Sequence, residues 1–147
     1  MKTRLEVRAL CEQDLPAICE LSAQLGYPTA LGAMQQRFAR LLERPKQALF
    51  VAARGGHVAG WVHAEPQHPL ESDPYVEIVG LVVAEADRRC GVGSALVDRV
   101  RDWARELSYA ILRVRSNVER DEAHEFYPAL GFQLVKTQHT YALDLAR

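Results

Sequence analysis

The stretch Glu85–Val100, EADRRCGVGSALVDRV, decides how this chain folds. Arg88, Arg89 and Cys90 run into Gly91-Val92-Gly93. Leu96, Val97, Val100, Trp103, Ala104 and Leu107 then recur at helical spacing. A helix start exposes unpaired backbone N–H groups and carries partial positive charge, and glycine lets an anion come close to that backbone. The preceding run, YVEIVGLVV (Tyr75–Val83), is largely apolar and reads as a central strand. Strand, glycine loop and helix in that order make a phosphate cradle. A tight turn that needs positive φ has the same spelling, so the loop by itself leaves both readings open. Two familiar phosphate loops are excluded. A Walker loop requires Lys-Ser/Thr after its last glycine, whereas Ser94 follows Gly93 directly. A dinucleotide fingerprint requires a small residue where Leu96 stands, and a βαβ unit opening the domain.

Working outward, LEVRAL alternates as a first strand, and Asp14 is placed to cap a helix with Pro16 in its first turn. GYPT ends that helix. Leu31, Met34, Phe38, Leu41 and Leu42 mark a second one, stopped before Pro45. ALFVAAR and HVAGWVHA are β-rich runs joined through Gly55 and Gly56, a hairpin signal. Gly80 inside the central strand indicates a bulge or a close backbone approach. After the Gly-loop helix come a strand (AILRVRS), a short helix (ERDEAHEFYPAL) stopped by Gly131, and a long last strand (FQLVKTQHTYALDL). The expected order is β-αα-βββ-α-β-α-β, a mixed α/β fold filling residues 1–147 as one domain.

The composition fits that picture. The chain has 147 residues, 48% of them apolar and 25% charged, with a net charge of -1. Near-neutral charge gives no electrostatic case for nucleic acid or an anionic membrane as partner. No run approaches a membrane span or a signal-peptide core, so a cytoplasmic protein is expected. Three scattered cysteines and five histidines without ligand spacing predict neither a disulfide framework nor a metal site.

Arg88-Arg89-Cys90-Gly91-Val92-Gly93 matches the [QR]-x-x-G-x-[GA] loop of the GNAT superfamily of N-acetyltransferases. GLVVAEADRR resembles that family's approach to the loop. SNVERDEAHEFYPALGF resembles its second signature. The resemblance implies an α/β GNAT-like domain whose sheet splays between the fourth and fifth strands. It implies an enzyme that moves an acetyl group from acetyl-CoA to an amine of a small molecule or peptide, by direct attack on the thioester and without a metal. The pyrophosphate would rest on the N–H groups of Cys90, Gly91, Val92, Gly93 and Ser94, with charge from Arg88 and Arg89. The pantetheine arm would pair with the backbone of Leu81, Val82 and Val83, and Asn117 would hydrogen-bond it.

A primary amine has a pKa of about 10 and must lose a proton before it attacks. Glu77, a carboxylate in an apolar strand, matches the family's base, with His63 and Glu65 as other candidates. Tyr127 matches the family's acid near the CoA sulfur. Pro128 departs from the family pattern and should loosen the helix that aims Tyr127. Acceptor contacts are expected from the loops at residues 25–29 and 64–74 and from the last strands, with Tyr27, Glu65, Glu77 and His139 as polar candidates. Two rival readings are a non-catalytic acyl-CoA-binding module and a nucleotide oxidoreductase. The last strand offers an edge, and family members are often dimers, so a homodimer is expected.

Overall fold

The computed structural model describes residues 4–115 and 121–146. The chain divides into two compact units, Met1–Arg115 and Ser116–Arg147. The first holds β1 (Leu5–Ala9), α1 (Leu15–Gln24), α2 (Leu31–Glu43), β2 (Ala48–Arg54), β3 (His57–Gln67), β4 (Tyr75–Val83), α3 (Val92–Glu106) and β5 (Leu112–Val114). The second holds α4 (Asp121–Ala129).

The strands lie in sequence order, β1-β2-β3-β4-β5. The first four pair antiparallel: β1 and β2 are joined through α1 and α2, β2 and β3 by the Gly55–Gly56 turn, and β3 and β4 by the loop at residues 68–74. β5 returns by way of α3 and joins β4 in parallel. One sheet face takes α1 and α2. Leu15, Ile18 and Leu21 are buried there with Val51, Val58 and Val82, and Met34, Phe38 and Trp61 pack around them. The other face takes α3, whose Leu96, Val97 and Val100 are fully buried. Gly60 makes that seat possible. A Cβ on it would lie 2.8 Å from the Val82 carbonyl oxygen and 3.0 Å from Val92 Cγ1. No larger residue lets the first turn of α3 sit so close to β3.

α1 begins where the sequence indicates, with Pro16 in its first turn, but Asp14 makes no side-chain cap. Its carboxylate is claimed from behind by the Arg8 guanidinium of β1, at 2.8 and 2.9 Å, and by the Cys11 N–H at 2.9 Å. The interaction locks β1 to the start of α1. α2 ends at Arg44, whose extended backbone is what the following Pro45 imposes.

In the second unit, α4 closes in a Schellman turn. The Gly131 N–H reaches the Pro128 carbonyl, the Phe132 N–H reaches the Tyr127 carbonyl, and Gly131 takes φ +97°. Pro128 lies inside α4, in its last turn, where it offers no N–H to the residue 124 carbonyl. The expected last strand is not formed among the described residues, where 132–144 are irregular. Leu134, Tyr141 and Leu143 are exposed. Alternation marks a face that a partner could cover, but a strand also needs a neighbour to take its backbone groups. The edge argument for a homodimer therefore has no strand to rest on.

Asp14 generates a stability prediction. Its Arg8 hydrogen bonds hold the carboxyl at about 2, although its burial opposes that shift. A depressed folded pKa stabilises above the unfolded value of about 3.9 and loses that effect as pH falls toward 2. Asp14→Ala should cost about 1–2 kcal/mol at pH 7, Arg8 being partly exposed. Urea melts should show the gap to wild type constant above about pH 5 and narrowing as the solution is acidified.

Candidate active site

The site is organised by unequal pairing along β4. On one side β4 is bonded to β3 from Tyr75 to Val83. On the other, β5 meets only Val76, Glu77 and Ile78. The change coincides with a bulge. Ile78 opposes Ala64 and Gly80 opposes His63, which leaves Val79 as an extra residue. Trp61 lies against Gly80 so closely that a Cβ there would sit 2.8 Å from the ring. The bulge indicated by Gly80 is therefore present at its neighbour Val79, and the group that comes close at Gly80 is a side chain.

Beyond the bulge, no strand among the described residues pairs with this side of β4, and the orientation of its backbone groups follows from the ladder. The Ala84 N–H donates to the Ala59 carbonyl at 2.7 Å. By antiparallel alternation, the Val82 amide groups also face β3, and those of Leu81 and Val83 face away from it. Of the three residues expected to offer backbone contacts, Leu81 and Val83 are so oriented. The Val82 groups are turned into the ladder.

The free edge leads into the glycine loop. A short 3-10 turn at Glu85–Asp87 precedes it. Arg89 at φ +63° and Gly91 at φ +80° both take the left-handed conformation and flank the exposed Cys90. Gly91 is the N-cap of α3 and brings no side-chain oxygen, so the first N–H groups, on Val92, Gly93 and Ser94, have no side-chain cap. Residues outside the motif hold the loop. Arg54 Nη2 donates to the Cys90 carbonyl at 3.5 Å, His57 Nε2 lies 3.0 Å from Asp87 Oδ2, and Gln24 Oε1 accepts from the Glu85 N–H at 3.2 Å. The sequence reading missed these three tethers, because only the β2–β3 hairpin geometry brings Arg54 and His57 beside the loop. Arg88 and Arg89 are exposed.

Before the bulge, the face that carries α1 and α2 turns polar. Glu65 and Glu77 are cross-strand partners and are both largely buried. Arg115 Nε and Glu77 Oε1 form an ion pair at 2.8 Å. Arg44 Nη1 approaches Glu65 Oε2 at 3.2 Å as an ion pair without an aligned hydrogen bond. His63 shares this face, and its Nε2 lies 2.7 Å from Gln47 Oε1. Burial pushes the His63 pKa down, Glu65 partly offsets this, and Arg44 adds to it. The structure thus gathers the three base candidates, Glu77, Glu65 and His63, into one patch. Tyr27 is exposed in the loop after α1.

In the second unit, the Schellman turn fixes the Tyr127 ring edge-on to Phe126 and Phe132, with centroids 5.0 and 5.6 Å away. His139 belongs to the same unit. Asn117 lies outside the described residues. Among the described residues no group of three or more His, Cys, Asp or Glu side chains is arranged to hold a metal ion.

Comparisons with known proteins agree with this layout. The profile of the acetyltransferase (GNAT) family matches residues 15–132. An aminoalkylphosphonate N-acetyltransferase of Salmonella typhimurium is 29% identical, over 97% of this chain and 98% of its own. An uncharacterized N-acetyltransferase of Bacillus subtilis, YhdJ, is 26% identical over 83% and 84%. The solved aminoglycoside N-acetyltransferase AAC(6')-Iy in complex with CoA superposes with a TM-score of 0.86 at 21% identity, covering 97% of each chain.

His63 carries a direct test. Its NMR titration midpoint should lie below the ordinary value of about 6.5. A folded pKa depressed in this way means that the unfolded chain binds the proton first. The His63 contribution to stability is therefore full above about pH 6.5 and falls as the pH drops toward the folded pKa. A midpoint at or above 6.5 contradicts the burial.

Proposed function

The chain belongs to the GNAT family of N-acetyltransferases, and on that footing we propose that it transfers an acetyl group from acetyl-CoA to an amine of a small molecule or peptide. The observation that carries the reading is the free edge of β4 running into the uncapped first turn of α3. Those two features fit the cosubstrate. The outward backbone groups of Leu81 and Val83 offer a ladder to an amide-bearing arm, and the N–H groups of Val92, Gly93 and Ser94 offer donors to a pyrophosphate. Arg88 and Arg89 add positive charge at the same end. Asn117 and Tyr127 keep the roles that the family motif gives them, hydrogen bonding to the arm and donating to the leaving sulfur. The family match runs from residue 15 to residue 132 and so spans both units, which supports one functional domain.

When bound, acetyl-CoA supplies a thioester already activated for acyl transfer. This chain's residues then have to bind the acceptor and take its proton. Glu77 is the proton acceptor in our reading. Its side chain is only 8% exposed, which shields the carboxylate from water, and it faces the patch shared with His63 and Glu65. Arg115 now holds the Glu77 oxygen that an acceptor ammonium would need, so binding the acceptor exchanges one cation for another.

Turnover with free-thiol detection over a panel of amines tests the function. Glu77→Gln keeps the shape and removes the base. It should lower kcat/KM by about 10²–10⁴, with the defect shrinking at high pH as more amine is already neutral. A protein that binds CoA but acetylates no amine would be the acyl-CoA-binding module instead.

A further inference from the structure

Glu65 and Glu77 stand directly across from each other on β3 and β4. Like charges at such positions repel. The fold keeps both by giving each its own arginine from elsewhere, Arg44 at the end of α2 and Arg115 just beyond β5. The two partners in each pair are unequally solvated. The glutamate side chains are 15% and 8% exposed, and those of Arg44 and Arg115 are 58% and 71% exposed. A desolvated carboxylate must keep a cation beside it, whereas a solvated guanidinium gains little from its pair. Arg115 is thus the exchangeable partner of a fixed charge. Arg113, in register with Glu77, stacks over the Tyr75 ring at 4.3 Å and adds another guanidinium on this face.

Resting on the acetyltransferase reading, we propose that the acceptor is an amine that carries its own oxyanion, a carboxylate or a phosphonate. Its ammonium replaces the Arg115 guanidinium at Glu77, and the released Arg115 takes the oxyanion in a charge-assisted, two-pronged contact. This exchange of partners leaves every charge in the patch matched. A simple amine displaces Arg115 and gives it nothing in return. A polycation brings extra positive charge toward Arg44, Arg113 and the displaced Arg115. Glu71 and Asp73, in the loop between β3 and β4, are exposed and therefore screened, so they compensate little. His63, kept from protonation by burial, adds no positive charge near neutral pH.

Calorimetric titration of the full chain with four probes tests this directly. β-Alanine and 2-aminoethylphosphonate carry the oxyanion, n-propylamine lacks it, and spermidine is a polycation. The first two should bind at least about tenfold tighter than the last two. Arg115→Gln should bring that ratio toward one, and Arg115→Lys should restore part of it. Equal or tighter binding of n-propylamine or spermidine overturns the proposal. So does the same loss for all four probes in Arg115→Gln, or no detectable binding of any. Turnover with the same amines separates the two readings. Acetylation without the oxyanion preference removes this inference alone. The preference without acetylation of any amine removes the transferase reading.

Discussion

The one-sided pairing of β4 is the constraint on which the rest depends. A central strand ordinarily spends its backbone groups on two neighbours. Here β3 takes one side throughout, while β5 leaves the other side after Ile78. The Val79 bulge falls at that point, and the Trp61 ring packs against Gly80 just beyond it. An unpaired central edge is costly unless something with its own donors and acceptors completes it. The glycine loop and the start of α3, at the end of that edge, put backbone N–H groups without a side-chain cap where such a ligand would terminate in the proposed function.

The same strand divides two kinds of chemistry. Past the bulge it offers backbone groups, and sequence there matters through what it permits: glycine at 60, 80 and 91. Before the bulge it offers the Glu77 side chain, set among charges supplied by α2 and by the segment after β5. In the proposed function the cosubstrate reads the first half and the acceptor reads the second. The scissile bond then lies where the strand changes from one to the other.

Much of this was legible in the chain. The bounds of β4, the hairpin through Gly55 and Gly56, the α3 stripe and the Gly131 stop all rest on local signals, which are periodicity and backbone need. The readings that failed required information from afar. Asp14 looks like a helix cap until Arg8 of β1 is seen to hold it. Which arginine stands beside Glu77 has no local signature either, since it is β5 that brings Arg115 alongside. The tethers from Arg54 and His57 to the loop have no local signature. The expected last strand failed in the opposite way: alternation is a statement about side chains, and it cannot supply the neighbour that a strand's backbone requires.

NMR-detected hydrogen exchange at Leu81, Val82 and Val83, with and without CoA, tests the free-edge account most directly. The Val82 amide, turned into the β3 ladder, should exchange slowly in both states. The Leu81 and Val83 amides should exchange freely in the unliganded protein and slow by about tenfold or more when CoA saturates it. Unchanged exchange at Leu81 and Val83 in the CoA-saturated protein would contradict the claim that this edge is completed by the cosubstrate.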